Sequence, residues 1–246
     1  MALLIMGSGL VARGLPMAFT RSRHTKRMDT EPDLPLVHLS RPGTTETDTP
    51  AVVLIHGRGT NERDLLALGS QLPEELHVLS VRAPQSMDGP NSYTWYDLDL
   101  SAGGLHASQP DPDGFRRSLD LLHEFVATAI ERYDLDADRV GLFGFSQGAI
   151  MSMAALLERP ESYRWIVALN GYLAASHESK AENAEGTPLF IGGGSVDQVI
   201  PPQRVKHAAE ALEESGADVH LEIYDIGHGT TPTEITDIVS WLEARY

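Results

Sequence analysis

The chain has 246 residues, 41% of them apolar, which suits one sizeable core and argues against a disordered or membrane-embedded class. It has no cysteine, so disulfides, thiolate metal sites and cysteine nucleophiles are excluded. With 19 basic against 35 acidic residues, the formal charge of −16 disfavours binding to nucleic acid or to anionic membranes through a basic patch.

That charge is unevenly spread. Arg13, Arg21, Arg23, Lys26 and Arg27 all precede the first acid, Asp29; from Met28 onward 14 bases face 35 acids, a formal −21. Three lysines stand against sixteen arginines. An ordinary acidic surface is one reading. Lysine depletion favours another, adaptation to high salt, where counterions screen the self-repulsion. Residues 1–27 differ from the rest. Their apolar stretch is broken by Gly7, Gly9, Arg13, Gly14 and Pro16, with no basic region ahead of it. This is a poor secretory signal and too interrupted a segment to span a bilayer. The expectation is a disordered or artefactual extension ahead of a single domain over 28–246, with Met28 as a natural alternative start. A cytoplasmic protein without stable membrane insertion is expected.

The predicted elements alternate. Leu36–Leu39 reads as a short edge strand, and the apolar run Ala51–Ile55 as a central parallel strand buried on both faces. His56–Thr60 breaks that strand, and Glu62–Leu72 has helical spacing. Leu76–Val81 is the next strand. Arg82–Pro112 is a long loop with four prolines and the aromatics Tyr93, Trp95 and Tyr96; loops of that length in compact domains are usually functional. Asp113–Tyr133 is a long amphipathic helix. The strand Arg139–Phe143 runs through Gly144–Gly148 into the helix Ala149–Leu157, stopped by Pro160. Strands follow at Trp165–Leu169, Pro188–Ile191 and Val219–Tyr224, and helices at Gln203–Ser215 and Thr233–Arg245. Such alternation argues for an α/β fold with an open, mostly parallel central sheet and helices on both faces. Ligand sites in such sheets lie beyond the carboxyl ends of the strands.

Four chemistry-bearing residues follow strands closely: His56, Ser146, Asp197 and His228. Gly144-Phe-Ser-Gln-Gly148 is a G-x-S-x-G sequence between a strand and a helix, the context in which a sharp turn exposes a serine hydroxyl. That serine needs a base, and His228, flanked by Gly227 and Gly229, follows the last strand. The orienting acid belongs between them in chain order, which favours Asp197; Asp225 is the rival, only three residues from His228. His56 precedes the serine and is given a structural role. The amides of Gln147, at a helix N-terminus, and of Arg58, in the His56–Gly59 loop, are the expected oxyanion donors. Met87, Trp95 and Tyr96, with Tyr93 and Leu100, are the expected wall of a substrate pocket, unless they only pack the loop onto the domain.

The stretches His56–Leu65, Arg82–Pro84, Trp95–Asp97, Gly144–Ala149, Asp197–Pro201 and Gly227–Gly229 resemble, in order and spacing, the phospholipase/carboxylesterase family. The resemblance covers about Val37 to Leu242. It implies an α/β-hydrolase fold without a large cap domain and hydrolysis of small or medium esters or thioesters without cofactor or metal. It puts Ser146, Asp197 and His228 at the triad positions and Arg58 and Gln147 at the oxyanion positions. Arg58 stands where other members place an apolar residue. A carboxylesterase is the favoured expectation; a lysophospholipase or acyl-protein thioesterase would use the same residues. A peptidase or a non-catalytic binding protein is disfavoured, and oligomeric state is open.

Overall fold

The structure, a computed structural model, describes residues 34–45 and 47–246; residues 1–27, with their expected extension, lie outside the described residues. Seven strands form one sheet: β1 (His38–Arg41), β2 (Thr49–Ile55), β3 (His77–Val81), β4 (Leu135–Phe145), β5 (Trp165–Leu169), β6 (Pro188–Gly194) and β7 (Asp218–Tyr224), in the order β1-β3-β2-β4-β5-β6-β7. Only β1 is antiparallel, pairing with β3; the remaining neighbours run parallel. Every residue of β2, β3 and β5 is buried, as two-sided cover demands of apolar runs.

The helices α2 (Pro112–Tyr133), α3 (Gln147–Glu158) and α4 (Pro202–Glu214) share one apolar cluster, which takes Ala51, Val53 and Ile55 from β2. The short α1 (Leu66–Gly69) and α5 (Pro232–Leu242) meet Val52 and Leu54 on the opposite face. The period-2 alternation of strand side chains thus feeds two cores from one strand. This is the α/β-hydrolase architecture. At the edge, β7 exposes Asp218, His220 and Glu222 and half-buries Val219, Leu221 and Ile223, so charge guards the open hydrogen-bonding edge.

Three expectations shift. The edge strand lies at His38–Arg41, two residues later than its apolar pattern suggests. The helix expected over Glu62–Leu72 is reduced to Leu66–Gly69. Its first turn is diverted because Asn61 Oδ1 accepts from the Arg63 amide and Glu62 is drawn inward to a bidentate pair with Arg82, at 2.6 and 2.7 Å. Leu65, Leu68 and Leu72 are buried all the same. The long stretch after β3 contains two antiparallel ribbons, Gln85–Ser86 with Tyr93–Thr94 and Leu98–Asp99 with Gln109–Pro110. It ends where Asp111 caps α2, accepting from the Gly114 amide at 2.8 Å, with Pro112 in the first helical position.

Parallel register aligns the strand ends. Ile55 pairs with Gly144, Phe145 with Leu169, Leu169 with Gly192, and Gly194 with Tyr224. His56, Ser146 and Asn170 therefore emerge side by side at one edge, and the loops carrying Asp197 and His228 leave from the same edge.

Candidate active site

Ser146 begins at the backbone. It holds φ 55° and ψ −116°, a conformation that is costly for a residue with a Cβ. The neighbouring glycines make it possible. A Cβ on Gly144 would sit 2.2 Å from the Gly148 carbonyl oxygen, and one on Gly148 would sit 1.8 Å from that of Ile55. The start of α3 therefore lies almost in contact with β4 and β2. The Ser146 amide donates to the Leu169 carbonyl at 2.9 Å, fixing the turn to β5.

His228 Nε2 lies 2.9 Å from Ser146 Oγ, and His228 Nδ1 lies 2.7 Å from Asp197 Oδ2. An ionised carboxylate only accepts, so Nδ1 carries the proton and the Nε2 lone pair faces the serine hydroxyl. The His228 loop crosses directly over β6: a Cβ on Gly194 would come within 2.3 Å of the Gly227 carbonyl oxygen. The Phe145 ring packs against the imidazole, centroids 5.1 Å apart.

Asp197 is 4% exposed. Burial alone would raise its pKa. Against that, Oδ2 accepts from Asn170 Nδ2 at 3.0 Å and from His228, while Oδ1 accepts from the Ile200 and Val199 amides at 3.0 and 2.7 Å. These four donors win and hold the pKa below the ordinary carboxylate value. Asp225, the rival, is exposed, and its Oδ1 accepts from Ser195 Oγ at 3.3 Å.

Gln147 opens α3, so its amide has no partner within the helix. Gly57 packs against Ser146, since a Cβ there would lie 3.3 Å from that of the serine, which brings the following Arg58 to the same place. Among the described residues neither amide meets a protein acceptor. The Arg58 side chain is exposed at the rim.

Ser146, Gln147 and Arg58 share a cavity of about 190 Å³ with Tyr96, Leu98, Leu105, Ser108, Ile150, Tyr172, Val199 and Ile200. Tyr96 is there as expected. Met87 and Trp95 are not. Trp95 is fully buried, its indole N–H donating to the His56 carbonyl at 2.9 Å, so it braces the loop after β2 instead. Met87 belongs to the turn of the first ribbon, its amide donating to the Ser92 carbonyl at 2.8 Å. Tyr93 and Leu100 are also absent from the cavity; Tyr93 lies under the Arg82 guanidinium, 4.7 Å from its ring centroid. His56 is buried and accepts through Nε2 from the Ala83 amide at 3.0 Å, a structural bond between two loops.

Two contributors were not foreseen. Asn170, left-handed at φ 50°, reaches Asp197 from the end of β5; a polar residue directly after an apolar strand and before Gly171 was the available signal. The Gln147 side chain is the second. Its Oε1 accepts from the Trp95 amide at 3.2 Å and lies 3.0 Å from the Thr94 hydroxyl, while Nε2 donates to the Tyr96 carbonyl at 2.9 Å. Nothing in the motif separates this role from that of its amide.

Comparison with known proteins bears on this geometry. The profile of the phospholipase/carboxylesterase family matches residues 43–245. Acyl-protein thioesterase 1 of Candida albicans is 25% identical over 78% of this chain and 90% of its own length. The putative hydrolase MhqD of Bacillus subtilis is 26% identical over 83% and 96%. Among solved structures, esterase PE8 superposes with a TM-score of 0.76 at 28% identity, covering 86% of this chain and 99% of its own. The carboxylesterase of Mesorhizobium loti has a TM-score of 0.76 at 19% identity over 87% and 98%, a likeness of fold. The chain belongs to the phospholipase/carboxylesterase family.

Proposed function

We propose that this chain is a serine carboxylesterase acting on carboxylic esters of short acyl chain through an acyl-enzyme. The observation that carries the reading is the unbroken chain from Ser146 through His228 to Asp197 at 2.9 and 2.7 Å, held at the strand ends. Ser146 Oγ attacks the acyl carbon as His228 Nε2 takes its proton. The carbonyl oxygen, now an anion, accepts from the Arg58 and Gln147 amides. Collapse expels the alcohol, which leaves with the proton from His228. Water repeats the sequence on the acyl-enzyme, releasing the acid and restoring Ser146. Asp197, held ionised by its four donors, fixes the tautomer and stabilises the imidazolium. No cofactor or metal enters these steps.

The cavity takes the acyl group. The leaving alcohol must meet His228, which is absent from the cavity lining and has a side chain 20% exposed towards solvent. A volume of about 190 Å³ falls below the roughly 300–1,000 Å³ of drug-sized sites, which favours short acyl groups. A thioester of similar acyl size is the second reading, favoured by the similarity to acyl-protein thioesterase 1 of Candida albicans. Ser146→Ala should lower kcat on p-nitrophenyl butyrate by about 10⁴-fold with the melting temperature nearly unchanged. Full activity in that variant would refute the assignment. A butyryl thioester assayed beside the butyrate ester separates the two readings.

The same proposal extends to the setting: one domain over 28–246 in a salt-rich cytoplasm, with no nucleic-acid partner. No helix among the described residues is long and apolar enough to cross a membrane. The formal −21 beyond Met28 supports salt adaptation. Raising KCl from 0.1 M to 1 M shortens the screening length from about 10 to about 3 Å, so the melting temperature should climb. A flat or falling series would leave an ordinary acidic esterase.

A further inference from the structure

Two buried hydroxyls in the wall of the acyl cavity, and a guanidinium behind that wall at the border of a neighbouring cavity, are left without a full set of partners among the described residues. Tyr96 and Tyr172 both line the cavity with buried hydroxyls; among the described residues that of Tyr96 has no hydrogen-bond partner, and that of Tyr172 lies beside Ser108 and Arg204 without a well-aligned bond. Beside them, Arg204 lies flat on the Tyr172 ring, its guanidinium carbon 3.3 Å from the centroid. Arg204 Nη2 donates to the carbonyl of Ser108, another cavity residue, at 2.9 Å, while Nη1 is buried and unpartnered. Arg82, Arg116, Arg139 and Arg245 each meet a carboxylate. Arg204 meets none among the described residues, although acids outnumber bases almost two to one in this chain.

What these atoms have in common is donation. A guanidinium N–H only donates, and a phenol with no acceptor has a proton to give. Burial pushes the pKa of Tyr96 well up and that of Tyr172 up, so both keep their protons. A cluster of unused donors around a positive charge is the complement of a carboxylate. Buried donors are normally satisfied, so a cluster left open beside a substrate cavity points to the ligand as its partner.

Resting on the esterase reading above, we propose that Tyr96, Tyr172 and Arg204 form a carboxylate subsite. The preferred substrates are then monoesters of short dicarboxylic acids, with the ester carbonyl at Ser146 and the free carboxylate at the far end of the acyl group. The three donors are covered, so the subsite opens with a shift of the Tyr172 side chain as the acyl group enters. The carboxylate is desolvated on arrival, where charge-assisted bonds are strongest.

The test compares monomethyl glutarate with methyl hexanoate, acid release being followed by titration at fixed ionic strength. The wild type should prefer the glutarate monoester by at least about tenfold in kcat/KM. The ratio of the two kcat/KM values should fall by about tenfold or more in both Tyr172→Phe, which keeps the ring, and Arg204→Met, which removes the charge. A wild-type ratio near unity, or a preference surviving in both variants, overturns the subsite. Should Arg204→Met fail to fold, Tyr172→Phe decides alone. A second measurement stands apart from hydrolysis: glutarate should raise the melting temperature of the Ser146→Ala protein, and less so with Tyr172→Phe added. Ester hydrolysis that is absent while glutarate still stabilises the fold would sink the esterase reading and leave the subsite. Hydrolysis without carboxylate preference and without glutarate stabilisation would do the reverse.

Discussion

The turn from Gly144 to Gly148 and the excursion from Arg82 to Asp111 lie against each other above the sheet, yet they are built on different principles. In the turn, backbone crowding dictates the sequence: side chains at 144 and 148 would strike carbonyl oxygens at 2.2 and 1.8 Å. In the excursion, apart from the positive-φ turns at Gly89, Asn91, Gly103 and Gly104, particular contacts rather than backbone crowding hold the path. The Gln147 side chain binds Thr94, Trp95 and Tyr96, Ser118 donates to the Trp95 carbonyl, and Glu62 anchors Arg82. A residue forced by its own backbone can be recognised locally. A residue chosen for a partner fifty positions away cannot.

The largest effect expected from this contrast separates two aspartates. If the strand-end geometry governs the reaction, Asp197→Asn should cut kcat by about 10⁴-fold by favouring the wrong histidine tautomer, with little loss of fold. Asp225→Asn, at an exposed position whose one side-chain bond among the described residues is to Ser195, should change kcat less than about threefold. A pH-independent comparison of kcat for the two variants on one ester checks this. A greater loss at Asp225 would mean that the acid acts from the histidine's own loop.

Legibility in the sequence followed the same division. Alternating apolar runs carried the order of strands and helices, and strand ends carried Ser146, Asp197 and His228, because each depends on local pattern. The helix over Glu62–Leu72 was overestimated: its leucines keep helical spacing, but Asn61 and Glu62 are spent on an amide and on Arg82. Trp95 and Met87 were assigned to the pocket because a long aromatic loop was all the sequence offered. Which aromatic ring faces the cavity depends on the His56 carbonyl claiming the Trp95 indole. Asn170 escaped notice since a lone asparagine after a strand has many bland uses.

A middle-sized effect tests whether the excursion depends on Gln147. Gln147→Leu keeps the backbone amide and the approximate volume but strands the buried Trp95 amide and leaves the Tyr96 carbonyl with the Thr94 hydroxyl alone. Leaving such a buried amide unpaired costs about 1–3 kcal/mol. For a chain of this size each kcal/mol is worth about 2–4 °C in Tm. The variant should therefore melt several degrees lower and show a raised KM, as Tyr96 loosens in the cavity wall, with kcat within about tenfold. An unchanged Tm and KM would show that the excursion is held by its apolar contacts alone.

The smallest effect compares two buried carboxyl groups beside β6, Asp197 in the loop that follows it and Glu234 in the first turn of α5. Asp197 has four donors and a depressed pKa. Glu234, 1% exposed behind Gly192, accepts at Oε2 from the Thr231 amide at 3.4 Å, and among the described residues Oε1 has no partner. Burial, reinforced by the nearby Asp237, outweighs that one bond and pushes its pKa up to about 7. The folded state therefore binds its proton more tightly than the unfolded chain does. Such a group contributes stability fully below its unfolded pKa, and the contribution is lost as pH rises through about 7. Asp197 has the opposite sign, its contribution being lost only on acidification. Glu234→Gln keeps the shape of the helix cap and removes the titration. Between pH 5 and pH 8.5 the wild-type Tm should fall further than that of the variant, by about 3 °C, a shift of the size expected for about 1 kcal/mol. Parallel melting curves across that range would show that Glu234 is ionised in the folded protein, and that a single amide at the helix N-terminus suffices to hold a buried charge there.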